Sequence, residues 1–260
     1  MVESYAWPYL NSTEHKTISW NASLIGDSNG VFSPALAEQG AAAYAQYHVH
    51  DILMDWESAV AALNTGSADV LRNHILAAKW FRARYPQAHC AFYNVPQTQY
   101  WPYGGSGVLT AHLDNIKGLL PYIDGINLSF YQPYTFAEYA AYGDGYQTMI
   151  GNAIRSVRSY WNGPITVAIW PRYHDQGVYP FYSVPQDEWK NMARYVLDND
   201  ACILWWGADA YFNTPSGGAQ ARIATEKAAA GFSGTDDEYL ADIAQDYLGW
   251  LREVLAEYPS

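Results

Sequence analysis

The sequence predicts one α/β domain, a TIM-like (β/α) barrel with seven or eight parallel strands. The chain has 260 residues and is half apolar, which suits one large core better than two small domains. Short apolar runs alternate with amphipathic stretches, the pattern of repeated strand and helix units around a parallel sheet. We therefore treat residues 1–260 as a single barrel domain.

The predicted strands are short apolar runs, and each leaves its apolar part into polar or aromatic residues. In chain order they cover residues 5–9, 17–21, 51–57, 89–96, 125–131, 165–171 and 201–208.

The predicted helices lie between most of these strands and carry an apolar stripe. They cover residues 34–47, 67–85, 106–122, 136–161 and 185–198. Ser67 and Ser106 are candidate N-caps, and Pro185 followed by Asp187 and Glu188 makes a favourable first turn. A final amphipathic helix over about 236–258 is expected to pack on the outside of the barrel.

Charge and hydropathy exclude several classes of function. The chain has 26 acidic and 14 basic residues, a net charge of -12, so nucleic acid is not an expected partner. No run approaches the about 18 apolar residues of a membrane span. The start MVESYAWPYL lacks the features of a signal peptide, and the compartment is left open. Cys90 and Cys202 fall in predicted strands, where buried free thiols are expected instead of a disulfide framework or zinc spacing.

Aromatic residues are unusually abundant. The 23 Tyr and 11 Trp exceed what a core of this size needs. Because Tyr and Trp combine an apolar face with a polar edge, they suit a surface that stacks on sugar rings. The alternative is that they fill the core and interfaces.

The strand ends place these aromatic residues beside carboxylates. They read DWE, FYNVPQ, SFYQPY, IWPRYHD and WWGADAYFN, and chemistry in a barrel sits at the carboxyl ends of its strands. If the strand continued through the sequence ILMDWES, Asp55 and Glu57 would share one face, with Trp56 on the other. The alternative is that the strand has already ended and both carboxylates face water. Agreement among five strand ends favours a pocket.

Other motifs give weaker signals. His48-Val49-His50 resembles a metal-binding pair but precedes its strand, at the opposite pole from the expected site. Gly104 to Gly107 lacks the ending of a phosphate-binding loop, and no nucleophile elbow is present. We therefore expect neither a metal nor a cofactor.

The remaining candidates are carboxylates. Glycoside hydrolysis needs a protonated carboxylic acid and a second group that meets positive charge at the anomeric carbon. Glu57 suits the acid, and an ionised Asp55 beside it would raise the pKa of Glu57 and keep it protonated. Further acids in predicted loops are Asp124, Asp144, Asp175 and Asp209.

The order ILMDWES, HCAFYNVPQTQYW, GINLSFYQPY, TVAIWPR, ILWWGAD resembles the hyaluronidase family of glycoside hydrolases over about residues 52–209. The resemblance implies a distorted seven-stranded barrel and a retaining reaction in which the 2-acetamido oxygen of the substrate attacks the anomeric carbon. It implies that Glu57 is the acid and base, that Asp55 positions the acetamide, that Tyr131 hydrogen-bonds it, and that Trp206 forms the pocket wall. Trp170 stands where the family usually has a tyrosine, and the family's paired disulfides are absent.

The sequence therefore predicts an endo-acting glycoside hydrolase that cleaves a polysaccharide containing N-acetylhexosamine, expected as a monomer. The family's substrate is a polyanion, which this acidic chain would bind only if Arg172 and nearby groups formed a positive patch. Two alternatives stay open: a glycosidase whose second carboxylate is Asp175 or Asp209, and a carbohydrate-binding or inactive barrel. A carboxylate spacing of about 5 Å favours a direct nucleophile and about 6.5 to 9.5 Å an inverting pair. The predicted glycan groove consists of Tyr93, Tyr100, Trp101, Tyr131, Trp170 and Trp206.

Overall fold

The structure is a computed structural model that describes residues 17–45, 50–99, 107–108, 110–141, 145–174, 177, 179–206 and 218–258. The predicted strand at 5–9 lies outside these residues. The strands are β1 (Thr17–Asn21), β2 (Asp51–Asp55), β3 (His89–Phe92), β4 (Thr98–Gln99), β5 (Gly107–Val108), β6 (Ile126–Ser129), β7 (Ile165–Ile169) and β8 (Cys202–Trp205). The short strands β4 and β5 were not predicted.

The longer strands form two parallel sheets. The first has the order β1-β2-β3 and the second β6-β7-β8, while β4 and β5 pair as a separate antiparallel ribbon. In register, Leu53 lies opposite Ala91 on β3, and Ala168 on β7 lies between Ser129 and Leu204. Because the pairing is parallel, the carboxyl ends within each sheet lie along one edge.

The two sheets adjoin where β3 faces β6. The Asp124 N–H donates to the Cys90 carbonyl at 2.9 Å, and the hydroxyls of Tyr93 and Ser129 are 2.8 Å apart. An isolated bridge joins Val95 to Asn127 in the same region. The described residues thus form a mixed α/β fold with parallel strands in two three-stranded sheets, and within them the seven- or eight-stranded barrel does not close.

The helices follow the strands in alternation. They are α1 (Pro34–Ala43), α2 (Glu57–Asn64), α3 (Ala68–Arg84), α4 (Thr110–Ile116), α5 (Phe136–Ala141), α6 (Tyr146–Arg158), α7 (Gln186–Leu197), α8 (Gly218–Ala230) and α9 (Asp236–Leu255). Ser67 caps α3 as predicted, its hydroxyl accepting from the Val70 N–H. Thr235 and Glu238 form a capping box at the start of α9.

The strands separate two apolar regions because alternate residues face opposite sides. Ile52 and Met54 on β2 belong to the main core with residues of the flanking helices, whereas Leu53 belongs to a smaller cluster on the other side of the strands. That second side carries the candidate site.

Several sequence predictions need correction. Within the helix predicted over 106–122, residues 107–108 form β5 and the α-helix α4 covers only Thr110–Ile116. The helix predicted over 136–161 is two helices, α5 and α6, with residues 142–144 between them outside the described part. α2 and α8 were not predicted. Cys90 is buried as expected, but Cys202 is exposed.

Among the described residues, no helix is both long enough and apolar enough to cross a membrane.

Candidate active site

The inner side of the sheets is built in two layers. In the first layer, Leu53 and Ala91 match in register in one sheet, and Ser129, Ala168 and Leu204 match in the other. The second layer lies two residues farther along each strand, and so on the same side of the sheets. It consists of Asp55, Tyr93, Tyr131, Trp170 and Trp206. Leu53, Tyr93, Tyr131, Ala168 and Trp170 form one buried cluster, against which Ala91, Leu204 and Trp206 pack.

Four aromatic residues of the second layer form what we call the aromatic floor: Tyr93, Tyr131, Trp170 and Trp206. The Tyr93 ring centroid lies 6.1 Å from that of Tyr131 and 6.0 Å from that of Trp206, in both cases stacked. The Tyr131 ring lies 5.8 Å from the Trp170 ring, edge to face. The structure therefore brings together four of the residues predicted to line the glycan groove.

Two tyrosine hydroxyls in the floor have different surroundings. The Tyr93 hydroxyl shares a hydrogen bond with the Ser129 hydroxyl at 2.8 Å. The Tyr131 hydroxyl is buried, with the whole residue 8% exposed; it lies near the Tyr93 side chain, but no described group makes a hydrogen bond of good geometry to it. An unpartnered buried hydroxyl is costly, which favours a polar ligand group at this position.

The two predicted carboxylates lie at a junction between a strand and a helix. Asp55 is the last residue of β2, Trp56 is the N-cap of α2, and Glu57 is the first residue of α2. The expectation of one strand running through Glu57 is therefore wrong, since the chain turns into a helix after Asp55. Both acids nevertheless remain close enough for the charge of Glu57 to raise the pKa of Asp55.

Trp56 holds this junction from the side of the main core. It is fully buried, and its indole N–H donates to the Asp27 carbonyl at 3.0 Å. Its ring stacks on His74 at 4.8 Å, and His74 lies 4.7 Å from the Phe92 ring. Asp55 and Glu57 thus flank a residue with little freedom to move.

Burial makes the carboxylate pair retain protons. Burial, followed by the charge of Glu57, raises the pKa of Asp55 from 3.8 to about 7. Burial also raises the pKa of Glu57, although its side chain is exposed on one side. Because the position of Glu57 in the first turn of α2 favours its ionised form, Glu57 is the first of the pair to ionise.

This order differs from the sequence prediction, in which Asp55 was ionised and Glu57 protonated. While Glu57 titrates, Asp55 still holds its proton and so contributes no charge that could raise the pKa of Glu57. In the free protein below pH 7, the last proton of the pair is therefore held mainly by Asp55. Burial, the neighbouring Tyr93 and both carboxylates also raise the pKa of Tyr131, which places its hydroxyl within the field of the pair.

Arg172 has a structural environment. Its side chain is 3% exposed, and its guanidinium donates to the Glu226 carboxylate and to the Phe181 carbonyl, both at 2.9 Å. The same carboxylate accepts from the N–H and the hydroxyl of Ser183. In the described chain, Arg172 therefore joins α8 to the segment after β7 and does not form the exposed positive patch that the sequence analysis required.

Two residues near the floor were missed. The half-buried His174 ring lies 6.1 Å from Tyr131, stacked on it. Glu188 on α7 accepts from the Gln132 amide at 2.5 Å and from the Tyr173 hydroxyl at 2.9 Å, and so holds the segments after β6 and β7 together. His174 stands in the quoted strand end IWPRYHD, which was the available signal, whereas nothing in the sequence indicated that Glu188 pairs with Gln132.

The remaining predicted residues fall elsewhere. Asp124 accepts from the Cys90 N–H at the beginning of β3, at the other end of the strand from Tyr93. The described residues contain no group of three or more His, Cys, Asp or Glu that could hold a metal ion. The candidates that lie outside the described residues are His48, Tyr100, Trp101, Asp144, Asp175 and Asp209.

Comparison with known proteins gives distant structural likenesses. No protein-family model and no curated protein sequence matches the chain. Bee venom hyaluronidase is similar in structure at 13% identity and a TM-score of 0.48, over 68% of each chain. The same enzyme in complex with a hyaluronic acid tetramer is similar at 14% identity and a TM-score of 0.47, over 69% of this chain and 65% of the other. Because one architecture hosts many activities, the function of this chain depends on its own site residues.

Proposed function

We propose that the chain is a glycoside hydrolase that cleaves a glycan containing N-acetylhexosamine, with Glu57 as general acid and base. The observation that carries this proposal is the Asp55 and Glu57 pair, held beside an aromatic floor with both pKa values raised. Perturbed carboxylates next to surfaces that stack on sugars are the groups that glycoside hydrolysis requires.

The aromatic floor accounts for binding. A sugar ring presents C–H groups on its faces and hydroxyls on its edges, which matches the faces of Tyr and Trp rings. The unpartnered Tyr131 hydroxyl can donate to the carbonyl oxygen of a 2-acetamido group. Asp55, close to Tyr131, can accept from the N–H of the same acetamide.

Binding of the acetamide would also move the proton to where the reaction needs it. A carboxylate that accepts an N–H hydrogen bond is stabilised in its ionised form. When Asp55 accepts from the acetamide, its pKa falls and the proton of the pair passes to Glu57, whose side chain is partly exposed towards solvent. Substrate therefore converts the resting arrangement into one with a protonated Glu57.

The nucleophile of the proposed reaction is the acetamide oxygen of the substrate and not a side chain of the protein. Glu57 donates its proton to the glycosidic oxygen while the acetamide oxygen forms a bond to the anomeric carbon, and the bond from that carbon to the leaving oxygen breaks. Water next attacks the same carbon, Glu57 takes a proton from this water, and the acetamide oxygen leaves. The configuration at the anomeric carbon is retained because it is inverted twice.

The test uses Glu57→Gln, which keeps the shape of the side chain and removes the transferable proton. We expect turnover of N-acetylated oligosaccharides to fall by about two to four orders of magnitude, the usual range for acid–base catalysis. Glycan affinity and the circular dichroism spectrum should stay unchanged. The matched control is Glu38→Gln, the same substitution at an exposed position on α1, which should keep full activity.

Full activity in Glu57→Gln would refute the assignment and direct attention to Asp175 and Asp209. Glycan binding by the unmodified protein without release of reducing ends would instead identify a carbohydrate-binding barrel.

A further inference from the structure

We propose that Ser129 is a positioning residue, which sets the distance between the carboxylate pair and the Tyr131 hydroxyl through its hydrogen bond to Tyr93. This inference rests on the proposed function, because it assigns a role in the same reaction to a residue below the aromatic floor. Ser129 is only 1% exposed, so it acts through other residues and not by contact with the glycan.

The candidate site is divided between the two parallel sheets. Asp55 ends β2 and Tyr93 directly follows β3, both in the first sheet. Tyr131, Trp170 and Trp206 follow β6, β7 and β8, the strands of the second sheet. The proposed reaction needs both sheets, since the acid comes from the first and the hydroxyl that holds the acetamide from the second. The placement of one sheet against the other therefore sets the geometry of the reaction.

The boundary where β3 faces β6 is held by side chains at its site end. We call this boundary the seam; it consists of Tyr93, Asn94 and Thr98 on one side and Asn127 and Ser129 on the other. Backbone ladders join neighbouring strands within each sheet, whereas among the described residues β3 and β6 share no ladder. Instead, the Asn94 N–H donates to the Asn127 side-chain oxygen at 3.4 Å, and the Thr98 hydroxyl donates to the Ser129 carbonyl at 2.5 Å. Each single bond therefore carries a large share of what fixes the seam.

The bond between Tyr93 and Ser129 is the cross-link that reaches the aromatic floor. The two hydroxyl oxygens lie 2.8 Å apart, and both residues are buried. Ser129 stands two residues before Tyr131, on the same side of β6. The bond therefore ties a floor residue of the first sheet to the strand that carries Tyr131, and it constrains both distance and direction.

Ring contacts pass the position of Tyr93 on to its neighbours. The Tyr93 ring is stacked on Tyr131 at 6.1 Å and on Trp206 at 6.0 Å. Offset stacking is favourable over a range of centroid distances, so these contacts alone would let the rings slide. The Ser129 hydroxyl removes this freedom. It thereby keeps the Tyr131 hydroxyl in place near the carboxylates, whose charges reach it across the seam.

The division of the site predicts which kinetic constant responds to a looser seam. Three of the four floor rings lie in the second sheet, so most of the stacking on a sugar survives a small shift between the sheets. The approach of the acid from the first sheet does not survive it, because a displacement of about 1 Å can cost about 100-fold in rate. A looser seam should therefore lower kcat more than it raises KM.

Two variants remove the same bond from its two ends. Ser129→Ala deletes one hydroxyl, and Tyr93→Phe deletes the other and keeps the ring. We expect each to lower kcat for N-acetylated oligosaccharides about tenfold and to change KM by less than about threefold. The double variant should show no further fall in kcat, because both single changes break one interaction.

The matched control is Tyr146→Phe. It also deletes a buried tyrosine hydroxyl that bonds to β6 or its end, since Tyr146 donates to the Phe130 carbonyl, but it does so from the side of the main core. We expect this variant to have a lower free energy of unfolding and an unchanged kcat. A fall in kcat equal to that of Ser129→Ala would mean that any weakening around β6 reduces activity, and it would overturn the inference.

Hydrogen exchange without a glycan tests the seam itself. The N–H groups of Asn94 and Thr98 both donate to side-chain oxygens, of Asn127 and of Asn94 respectively. They should exchange about tenfold faster in Ser129→Ala than in Tyr146→Phe, because local opening governs the exchange of such groups.

The outcomes separate this inference from the hydrolase proposal. If the unchanged protein cleaves the oligosaccharides, an unchanged kcat in Ser129→Ala, or additive losses in the double variant, overturns the inference and leaves the hydrolase proposal standing. If the unchanged protein cleaves none, the hydrolase proposal fails and hydrogen exchange decides the rest. Equal exchange in Ser129→Ala and Tyr146→Phe then overturns the role of Ser129 in the seam, and faster exchange in Ser129→Ala supports it.

Discussion

Asp55 is expected to destabilise the folded protein at neutral and alkaline pH, so that Asp55→Asn is more stable than the unchanged protein. In the unfolded chain Asp55 ionises near 3.8, whereas in the folded chain burial and Glu57 raise its pKa to about 7. Between these values the folded state binds more protons, and its stability therefore falls as pH rises. Asparagine cannot ionise and does not incur this cost.

The magnitude follows from the shift. At about 1.4 kcal/mol per pKa unit, a rise from 3.8 to about 7 corresponds to about 4 kcal/mol. Water that reaches the half-buried carboxyl reduces this to about 2 to 4 kcal/mol. Relative to the unchanged protein, Asp55→Asn should therefore gain about 2 to 4 kcal/mol in unfolding free energy as pH rises from 3.8 to above 7, in addition to any difference that is constant with pH.

The assay is urea unfolding followed by tryptophan fluorescence, repeated at several pH values between 4 and 8 for both proteins. His74, which also titrates on unfolding, acts equally on both and cancels in the difference. The control is Asp51→Asn, the same substitution at the opposite end of β2, which should leave the pH profile of stability unchanged. A difference between Asp55→Asn and the unchanged protein that is the same at every pH would refute the reasoning.

Three further predictions follow from the same region. In the unchanged protein, kcat/KM should fall above about pH 7, where the carboxylate pair loses its last proton. In Asp55→Asn only Glu57 can hold that proton, so the fall should begin at the lower pKa of Glu57. An unchanged pH profile of kcat/KM would contradict the idea that the two carboxylates share one proton. Burial lowers the pKa of His74 to about 4, so between pH 6.5 and 4 this histidine is protonated only in the unfolded chain. The unchanged protein should therefore lose about 3 kcal/mol of unfolding free energy as pH falls through this range, and His74→Phe should not. Urea midpoints of the two proteins that fall in parallel would argue against this prediction. Trp206→Ala should raise KM for N-acetylated oligosaccharides, with a loss of about 1 kcal/mol in binding free energy, the scale of one aromatic ring contact. An unchanged KM would place the sugar elsewhere.

The sequence predicted the strands better than their connections. β1 matches its predicted bounds, and the other five strands of the two parallel sheets lie inside predicted segments, because a short apolar run is a local property of each strand. The break between α5 and α6 was visible as Gly143 and Gly145, two residues that disfavour a helix interior. α8 was also readable in principle, since the segment AQARIATEKAAA is rich in strong helix formers.

The candidate site was predicted in its composition but not in its electrostatics. Residues at strand ends identified Asp55, Glu57, Tyr93, Tyr131, Trp170 and Trp206, since parallel strands bring their carboxyl ends together. The sequence could not show that burial raises the pKa of Asp55 as well as that of Glu57. It also could not show that Arg172 is paired, because its partner Glu226 is 54 residues away in the chain.

The junction between β2 and α2 has a consequence for engineering. Trp56 packs so tightly that a Cβ added to Gly26 would lie 2.5 Å from its ring and 2.3 Å from the Val31 carbonyl. A change in the backbone between Asp55 and Glu57 that widened the spacing of the two carboxylates would therefore have to move a ring that is closely packed on its far side. A designer who wanted an inverting hydrolase on this scaffold would have to bring the second carboxylate in from another strand, for example at Trp170 or Trp206, and leave the β2 segment intact.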